Sequence, residues 1–320
     1  MGQVTAAVVG ATGYAGAELV RLLLTHPKVS LQAVVSRSRA GERLDAAHPS
    51  LMGFTSLKLE HFDAERLAGF DVVFLATPHG SAGSLAEALD EAGAPRIIDL
   101  SSDHRHAQGW VYGQAEWNAG QLAGATRIAV PGCFATAISL ALAPFVAAGQ
   151  LRGPVQCVAA TGSTGSGANP KGATHHPERF VNLKGYKVLQ HQHTPEVTTF
   201  LQGLGAFERL DFVPLSAPVD RGILATCFLP IATQEGPAET LSAAYDDHPF
   251  ARVRSGPPEL RHVRGTGMCD LWVTEEGGAV VVQSAIDNLG KGAAAHGVQC
   301  LNLAMDWGVG TGLNQPAVLP

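Results

Sequence analysis

The first turn of the chain constrains its fold most strongly, because three glycines there join a buried strand to a helix. Residues 4–9 form a nearly continuous apolar run, which is typical of a strand buried on both faces of a parallel sheet. Gly10, Gly13 and Gly16 follow, and a helix is predicted over residues 17–24. Glycines there let the backbone approach a pyrophosphate at the helix N-terminus. The pattern indicates a Rossmann-type dinucleotide-binding domain, although the spacing is GxxGxxG rather than GxGxxG and a turn without a ligand is the alternative.

The first half of the chain continues this alternation of strands and helices. Further strands are predicted over 30–35, 71–76, 96–100 and 128–130, with a helix over 81–92 and a loop over 110–118. Ligands of such parallel sheets bind in the loops at the carboxyl ends of the strands. His79 and Arg105 lie in such loops. Arg105 is a candidate for holding an acidic substrate group, with a pair to Asp99 or Asp103 as the alternative, and His79 fits a capping role equally well.

The end of the second strand indicates which dinucleotide is bound. NAD sites commonly place an acidic residue there to hold the ribose 2′-hydroxyl. Here the chain reads Ser36, Arg37, Ser38 and Arg39, without an acidic residue. Because arginine pairs with phosphate through charge-assisted hydrogen bonds, the segment favours NADP over NAD. Solvated loop arginines are the alternative.

Cys133 is the predicted nucleophile. It follows the predicted strand 128–130 and a Pro-Gly pair, and it precedes an Ala- and Leu-rich helix. A thiol at a helix N-terminus has a lowered pKa, because the unpaired N–H groups and the helix dipole favour the thiolate. A thiolate beside a nucleotide fold indicates covalent catalysis at a carbonyl or acyl group. The alternative is a small buried core residue.

The length and the net charge of the chain limit its domain count and its expected partners. At 320 residues the chain is long enough for two domains, and its net charge of −6 gives no basic field for a nucleic acid or a membrane. Small molecules or other protein chains are the expected partners. Five cysteines without metal-type spacing, no membrane-spanning apolar run and no signal peptide predict a cytoplasmic protein.

The second half begins with a segment that suits an anion. A predicted strand over 155–160 leads into the Gly- and Ser-rich residues 162–167, which include Gly162, Ser163 and Gly165. Backbone N–H groups in such a segment can face a phosphate or an oxyanion. A flexible linker is the alternative.

Two histidines provide a candidate base for the cysteine. His191 and His193 share one face in an extended segment, and Glu196 lies at a predicted helix start. Histidine is the usual base that activates a cysteine, and a carboxylate can orient it. A metal site formed by both histidines and Cys133 is the alternative, but the spacing matches no known ligand set, so no metal is predicted.

The remaining elements indicate a mixed sheet. Strands are predicted over 212–214, 222–230, 261–263, 271–274 and 279–286, with few helices between them, and an apolar helix over 293–307. Arg221 is a candidate anion ligand, and a pair with Asp220 is the alternative. The predicted fold is therefore α/β, with a parallel-sheet NADP-binding domain over 1–132, completed by a C-terminal helix in 292–320, and an α+β mixed-sheet catalytic and substrate domain over 133–291.

Five segments together resemble the N-acetyl-γ-glutamyl-phosphate reductases, NADP-dependent enzymes of arginine biosynthesis. They are Gly-Ala-Thr-Gly-Tyr-Ala-Gly (10–16), Val-Pro-Gly-Cys-Phe-Ala-Thr (130–136), Gly-Ser-Thr-Gly-Ser-Gly (162–167), His-Gln-His-Thr-Pro-Glu (191–196) and Asp-Asn-Leu-Gly-Lys-Gly (287–292). The second is the most specific, since aspartate-semialdehyde dehydrogenases usually carry Asn before the cysteine. The resemblance spans Val8 to about Met305.

The resemblance implies a reaction through a cysteine thioester. Cys133 would attack an acyl phosphate, phosphate would leave, and hydride from NADPH would give an aldehyde. His193, or otherwise His191, would move protons, with Glu196 holding its ring. Substrate contacts would come from Arg105, Arg221 and Ser163. The implied cofactor contacts are Gly10, Thr12, Gly13, Tyr14, Ala15, Gly16, Ser36, Arg37, Ser38, Gly162, Ser163, Gly165 and Asn288, the last by resemblance only. A homodimer or homotetramer is expected by analogy.

Departures from the family keep other functions open. Gln192 stands where the family usually has arginine, and residues 169–186 differ from the commonest members. The same chemistry on N-succinyl-glutamyl phosphate, or on carrier-linked aminoadipyl phosphate in lysine synthesis, is therefore an alternative. Alternatives of another class are a non-catalytic NADP-binding regulator and a metal-dependent hydrolase.

Overall fold

The computed structural model describes residues 2–231 and 236–318. They form two compact units. The first unit comprises residues 1–132 and 293–315, and the second comprises 133–292 and 316–320, in each case as far as described.

The described elements follow one another in this order. The strands are β1 (Val4–Val9), β2 (Val29–Val35), β3 (Leu59–Glu60), β4 (Val72–Leu75), β5 (Ile97–Asp99), β6 (Val111–Tyr112), β7 (Arg127–Ala129), β8 (Val155–Thr161), β9 (Lys184–Gly185), β10 (Leu210–Ser216), β11 (Ile223–Leu229), β12 (Ala251–Val253), β13 (Cys269–Glu276) and β14 (Ala279–Ile286). The helices are α1 (Tyr14–Leu24), α2 (Leu44–Ala47), α3 (Ala64–Ala68), α4 (Ala82–Glu91), α5 (Ala119–Leu122), α6 (Cys133–Ala147), α7 (His176–Arg179), α8 (His193–Gln202), α9 (Pro237–Tyr245) and α10 (Ala295–Ala304).

The first unit contains a parallel sheet. Its strand order is β3-β2-β1-β4-β5-β7-β6, and every neighbouring pair is parallel. β4 is buried along its whole length, as expected for a strand covered on both faces. The strand order reverses direction at β1, with β2 on one side and β4 on the other. Ligands of open parallel sheets bind at such a switch point, beyond the carboxyl ends of the strands. The predicted parallel sheet is confirmed.

Two local predictions in this unit need correction. α1 begins at Tyr14 rather than residue 17, because Gly13 already takes the extended backbone of an N-cap, with φ −78° and ψ 165°. The predicted loop 110–118 contains the short strand β6, which pairs with β7 at the edge of the sheet. Two residues are too short to show the alternation on which strand prediction depends.

The C-terminal helix of the first unit is shorter than the predicted 293–307. Residues Gly290–Ala294 form a π-type turn, and α10 continues from Ala295 to Ala304. Gly297 of α10 faces Leu100 and Val130, where an added Cβ would lie 3.5 and 3.7 Å from their side chains. α10 thus packs beside the ends of β5 and β7.

The second unit contains a mixed sheet, as predicted. Its order is β12-β13-β14-β11-β8-β10-β9, with parallel pairs β12–β13 and β8–β10 and antiparallel pairs elsewhere. Burial alternates along β8, β10 and β11, so one face of the sheet is covered and the other is more exposed. α6 lies on the covered face, where the hydroxyl of Ser284 on β14 donates to the Ala137 carbonyl at 2.7 Å.

The predicted strand 261–263 is wrong, since Leu260–His262 form a single 3-10 turn. Val263 is fully buried, but it ends this turn and has no alternating neighbours. Neither α9 nor the three-residue strand β12 was predicted from the sequence. Within the described residues, no helix combines the length and the apolar character needed to cross a membrane.

Candidate active site

The glycine turn after β1 is a cradle that accepts no side chain at two positions. Gly10 has a φ of +88°, and an added Cβ would meet the carbonyl oxygen of Ala76. A Cβ added at Gly16 would meet the carbonyl oxygen of Gly10. The backbone is thus packed as closely as a dinucleotide turn requires, with the N-terminus of α1 at its end. The other predicted contacts in this turn are Thr12, Gly13, Tyr14 and Ala15.

The segment after β2 carries one engaged and one exposed arginine. Arg39 Nη2 pairs with Glu42 Oε2 at 2.7 Å. Arg37 and Ser38 are exposed. Ser36 is buried, and its hydroxyl oxygen lies 3.2 Å from that of Thr12, which joins this segment to the glycine turn. Arg37 is therefore the arginine in this segment that can reach a phosphate without giving up an ion pair.

Arg105 and His79 both hold backbone groups at the carboxyl edge of the parallel sheet. Arg105 is buried, and its Nε and Nη2 donate to the carbonyls of Val130 and Leu100 at 3.0 and 3.4 Å. His79 Nδ1 accepts the N–H of Ser102 at 3.0 Å, which fits the capping role. Both side chains lie at the predicted edge, and substrate binding by Arg105 stays a prediction.

Cys133 is the first residue of α6 in the second unit. It is partly exposed, whereas Cys157, Cys227, Cys269 and Cys300 are buried. The alternative of a buried core thiol therefore does not hold. An N-terminal position on a helix stabilises a thiolate, since the first N–H groups of the helix point toward it. A Cβ added at Gly292 would lie 2.8 Å from the Cβ of Cys133, so only glycine allows this close packing.

Both predicted histidines lie beside the first turn of α6. The ring of Phe134 contacts His191 and His193 at centroid distances of 5.2 and 6.1 Å, and the two imidazoles are 4.8 Å apart. His193 begins α8, and Glu196 follows on the same face of that helix. All three polar residues are buried. No group of three or more metal-ligand side chains is arranged around a metal position in the part of the chain that the structure describes.

The environment of His191 keeps its ring neutral. The N–H of His193 donates to His191 Nδ1 at 3.2 Å, which places the proton of the neutral ring on Nε2. Burial, and then the charge of Lys187, lower the pKa of His191 to about 4. His191 is therefore a hydrogen-bond donor at neutral pH. This leaves His193 as the better candidate for moving protons.

Tyr186 joins this cluster although the sequence analysis did not single it out. Its ring lies 5.8 Å from that of His191. Burial raises the pKa of Tyr186, and so does the charge of Cys133, so the hydroxyl stays protonated within electrostatic reach of the thiol. The position is brought there by β9, whose residues pair with β10. No local motif marks a tyrosine placed by such a short strand.

The N–H groups of the Gly- and Ser-rich segment 162–167 donate hydrogen bonds to backbone carbonyls of the second unit. Those of Gly162, Ser163 and Thr164 donate to Gly222, Val219 and Asp220 at 3.0, 2.9 and 3.0 Å. Those of Gly165 and Gly167 donate to carbonyls inside the segment. The backbone N–H groups that we expected to face a phosphate are thus engaged elsewhere. Ligand contacts here would come from other groups, such as the Ser163 side chain or the backbone surface at the glycines.

Asn288 and Arg221 are also engaged inside the second unit. The Asn288 amide accepts the Gly222 N–H at 2.7 Å and donates to the Thr164 hydroxyl at 3.0 Å. Arg221 Nη2 pairs with Asp287 Oδ1 at 2.9 Å, while Asp220, the partner we had considered, pairs with Arg264. Cofactor binding by Asn288 and substrate binding by Arg221 stay predictions.

Family models match both units of the chain. Residues 5–125 match the semialdehyde dehydrogenase NAD-binding domain, and residues 133–288 match the semialdehyde dehydrogenase dimerisation domain.

Curated relatives of similar length carry one name. The chain is 41% identical to the N-acetyl-gamma-glutamyl-phosphate reductase of Salinispora arenicola, covering 98% of each chain. It is 39% identical to that of Streptomyces coelicolor, covering 99% of each. It is 38% identical to that of Brevibacillus brevis, covering 98% of this chain and 99% of the relative.

Solved structures share the fold at lower identity. A probable aspartate-semialdehyde dehydrogenase from Pseudomonas aeruginosa superposes with a TM-score of 0.76 at 20% identity, covering 94% of this chain and 98% of that one. The aspartate semialdehyde dehydrogenase of Candida albicans, solved with NADP, superposes with a TM-score of 0.70 at 16% identity over 94% of this chain and 98% of that one.

Proposed function

The chain belongs to the N-acetyl-γ-glutamyl-phosphate reductases, and on that premise we propose that Cys133 is the nucleophile with which it reduces N-acetyl-γ-glutamyl phosphate to the semialdehyde, a step of arginine biosynthesis. The observation that supports Cys133 as the nucleophile is its partly exposed thiol at the start of α6, where the next residue, Phe134, packs against two buried histidines. The curated relatives described above share the N-acetyl name, which favours this substrate over the N-succinyl and aminoadipyl alternatives.

NADP is the cofactor, and the first unit fits it. The closely packed turn with Gly10 and Gly16 would receive the pyrophosphate at the N-terminus of α1, since a side chain at either glycine would fill the space. Arg37, exposed and without an ion pair among the described residues, would hold the 2′-phosphate, with Ser36 and Ser38 beside it. When bound, NADPH supplies the hydride that reduces the acyl group.

The covalent steps centre on Cys133. Its thiolate attacks the acyl carbon, the bond from that carbon to the phosphate oxygen breaks, and inorganic phosphate leaves a thioester on the enzyme. Reduction gives a thiohemiacetal oxyanion. The first N–H groups of α6 would stabilise this oxyanion, because the N–H groups of segment 162–167 are already bonded. Collapse of the oxyanion breaks the C–S bond, which releases the aldehyde and restores the thiolate.

His193 would take the thiol proton before the first attack. It is buried at the start of α8, and Glu196 on the same helix face would orient its ring. His191 Nε2–H and the protonated hydroxyl of Tyr186 would donate hydrogen bonds rather than accept protons. The proposed substrate contacts are Ser163, Arg105 and Arg221. The proposed cofactor contacts in the second unit are Gly162, Gly165 and Asn288.

The two compact units would be the functional domains. The first, completed by residues 293–315, would bind NADP, and the second would carry the catalytic cysteine. The more exposed face of the second sheet would pair with a second copy, since Val158 and Phe228 there are 38% and 47% exposed and the matching family model is described as a dimerisation domain. A homodimer is therefore our proposal. Five free thiols suit the reducing cytoplasm, where we place the enzyme.

Cys133→Ser tests the function. With N-acetyl-glutamate semialdehyde, phosphate and NADP, the wild-type protein should reduce NADP, and the variant should lose at least about 10³-fold in kcat because serine is a far weaker nucleophile. NADPH binding, measured by fluorescence titration, should be unchanged. Cys157→Ser, at a buried thiol on β8, is the matched control. Turnover of Cys133→Ser at the wild-type rate would end the proposal.

A further inference from the structure

Arg179, the last residue of α7, has an uncompensated guanidinium. It is half-buried, and its Nη2 donates to the carbonyls of Thr161 and Ala217 at 3.3 and 3.5 Å. Its Nε is buried and has no hydrogen-bond partner. Within the described residues no carboxylate pairs with it. The cation is thus held in place by two backbone carbonyls and keeps most of its five N–H donors for something else.

Such a placement is unfavourable for the folded protein alone. Removing a cation from water without an anion to pair with it is destabilising, and buried polar groups are nearly always hydrogen-bonded. Consistent with this, burial lowers the pKa of Arg179, against the opposing effect of Tyr186. An anionic ligand would supply both the missing charge and the missing acceptor.

Arg179 and the nucleophile both lie close enough to Tyr186 for their charges to act on its hydroxyl. The charges of Cys133 and Arg179 act on Tyr186 in opposite directions, so both lie within electrostatic reach of that hydroxyl. Thr161, which holds the guanidinium, ends β8 and is followed directly by segment 162–167. Arg179, Tyr186 and Cys133 all belong to the second unit.

The other two arginines proposed for the substrate differ from Arg179 in their ion pair or in the unit to which they belong. Arg221 is paired with the buried carboxylate of Asp287. Arg105 holds two backbone carbonyls in the first unit. Arg179 pairs with no described carboxylate, and its charge reaches Tyr186 as that of Cys133 does. The substrate of the proposed reaction carries oxyanions at both ends, a carboxylate and a phosphate.

We propose that Arg179 binds an oxyanion of the substrate, either the α-carboxylate of the N-acylglutamyl group or the phosphate, and positions the acyl carbon at Cys133. The proposal rests on the proposed function and extends it to a residue that no local motif marks. Arginine suits this role because its planar guanidinium can donate two parallel hydrogen bonds to a carboxylate or a phosphate.

The test measures KM in the reverse direction, where the two oxyanions belong to different reactants. NADP reduction by Arg179→Gln is recorded against N-acetyl-glutamate semialdehyde, which carries the carboxylate, and separately against inorganic phosphate. We expect KM for one reactant to rise about 10–100-fold, the usual loss for a charge-assisted hydrogen bond, while the other KM changes less than about threefold. A rise for the semialdehyde identifies the carboxylate, and a rise for phosphate identifies the phosphate group.

Arg152→Gln is the matched control, because Arg152 also donates to backbone carbonyls, those of Gly149 and Leu151, in the same unit. It should leave both KM values unchanged. If Arg179→Gln does not fold, Arg179→Lys replaces it and should give a smaller rise in the same KM. No rise in either KM, or an equal rise in both, overturns the proposal. An inactive wild-type protein would instead contradict the proposed function itself, whatever the Arg179 variants do.

Discussion

The glycine turn of the first unit and the cysteine cluster of the second unit are built in different ways. Seven consecutive residues make the turn, and its shape depends on backbone atoms and on the absent side chains of Gly10 and Gly16. The cluster depends on side chains from α6, from α8 and from the segment before α8. The histidines of the last two lie more than fifty residues after Cys133 in the chain. The comparison teaches that a backbone-built site can be recognised from a short motif, whereas a side-chain-built site exists only after the sheet has assembled.

A single substitution should affect a different kinetic constant in each of the two regions. A side chain added to the turn occupies space that the backbone and the ligand need, so binding should suffer before chemistry. A side chain changed in the cluster alters proton transfer or charge, so chemistry should suffer before binding. The substitutions below separate these two kinds of failure.

His193→Asn should have the largest effect among them. It removes the proposed proton carrier, and kcat should fall about 10²–10⁴-fold, the usual contribution of general acid–base catalysis. KM for NADP should stay within about threefold, since His193 is not among the proposed cofactor contacts. Steady-state kinetics of NADP reduction measure both constants.

His248→Asn provides the control for this substitution, because His248 lies in the same unit and packs on Tyr245 at a centroid distance of 5.9 Å. It should retain wild-type kcat. If His193→Asn kept wild-type kcat and raised KM for NADP instead, the distinction between the two regions would break down.

Gly16→Ala should have the next largest effect, and on binding alone. The added Cβ meets the Gly10 carbonyl oxygen, so the turn must shift and the dissociation constant of NADPH should rise about 10–100-fold. Gly83→Ala is the matched control, since Gly83 lies in α4 of the same unit with nothing near its Cβ position. Fluorescence titration of NADPH compares the two, and equal affinities would show that the turn does not hold the cofactor.

The buried, neutral His191 predicts a smaller effect, on stability against pH. The pKa of His191 is lowered from 6.5 to about 4, so between these values the unfolded chain binds a proton that the folded chain does not. Its contribution to stability is therefore complete above pH 6.5 and is lost as pH falls toward 4, by at most about 3 kcal/mol. Denaturant unfolding at several pH values should show a flatter pH dependence for His191→Gln than for the wild type. Parallel curves would show that the pKa of His191 is the same in the folded and the unfolded protein.

The parts of the fold that the sequence predicted best are those with local signals. Apolar β1 followed by glycines, and the Pro-Gly-Cys step into α6, each determine their structure within about ten residues. The wrong secondary-structure predictions fall where contacts with distant residues determine the local structure. The 3-10 turn Leu260–His262 has no short sequence signal that separates it from a strand, and the π-type turn Gly290–Ala294 has none that separates it from an α-helix.

The candidate site was predictable to a similar extent. Cys133, His191 and His193 were singled out because their chemistry is rare and their spacing regular, and the structure places both histidines against Phe134, the residue after Cys133. Arg179 and Tyr186 were missed, since they reach the cluster through α7 and the two-residue strand β9. The bonding of segment 162–167 was not predictable for the same reason. Three of its N–H groups donate to a distant loop, and those of Gly165 and Gly167 donate within the segment.

The most direct test of the account is whether residue 133 carries the acyl group during the reaction. The protein is mixed with freshly prepared N-acetyl-γ-glutamyl phosphate without NADPH, quenched in acid, digested and analysed by mass spectrometry. The account predicts an N-acetylglutamyl adduct on the peptide that contains Cys133, removed when NADPH is added before the quench and absent from Cys133→Ser. An unmodified Cys133 peptide, in a preparation that oxidises NADPH with this substrate, would contradict it.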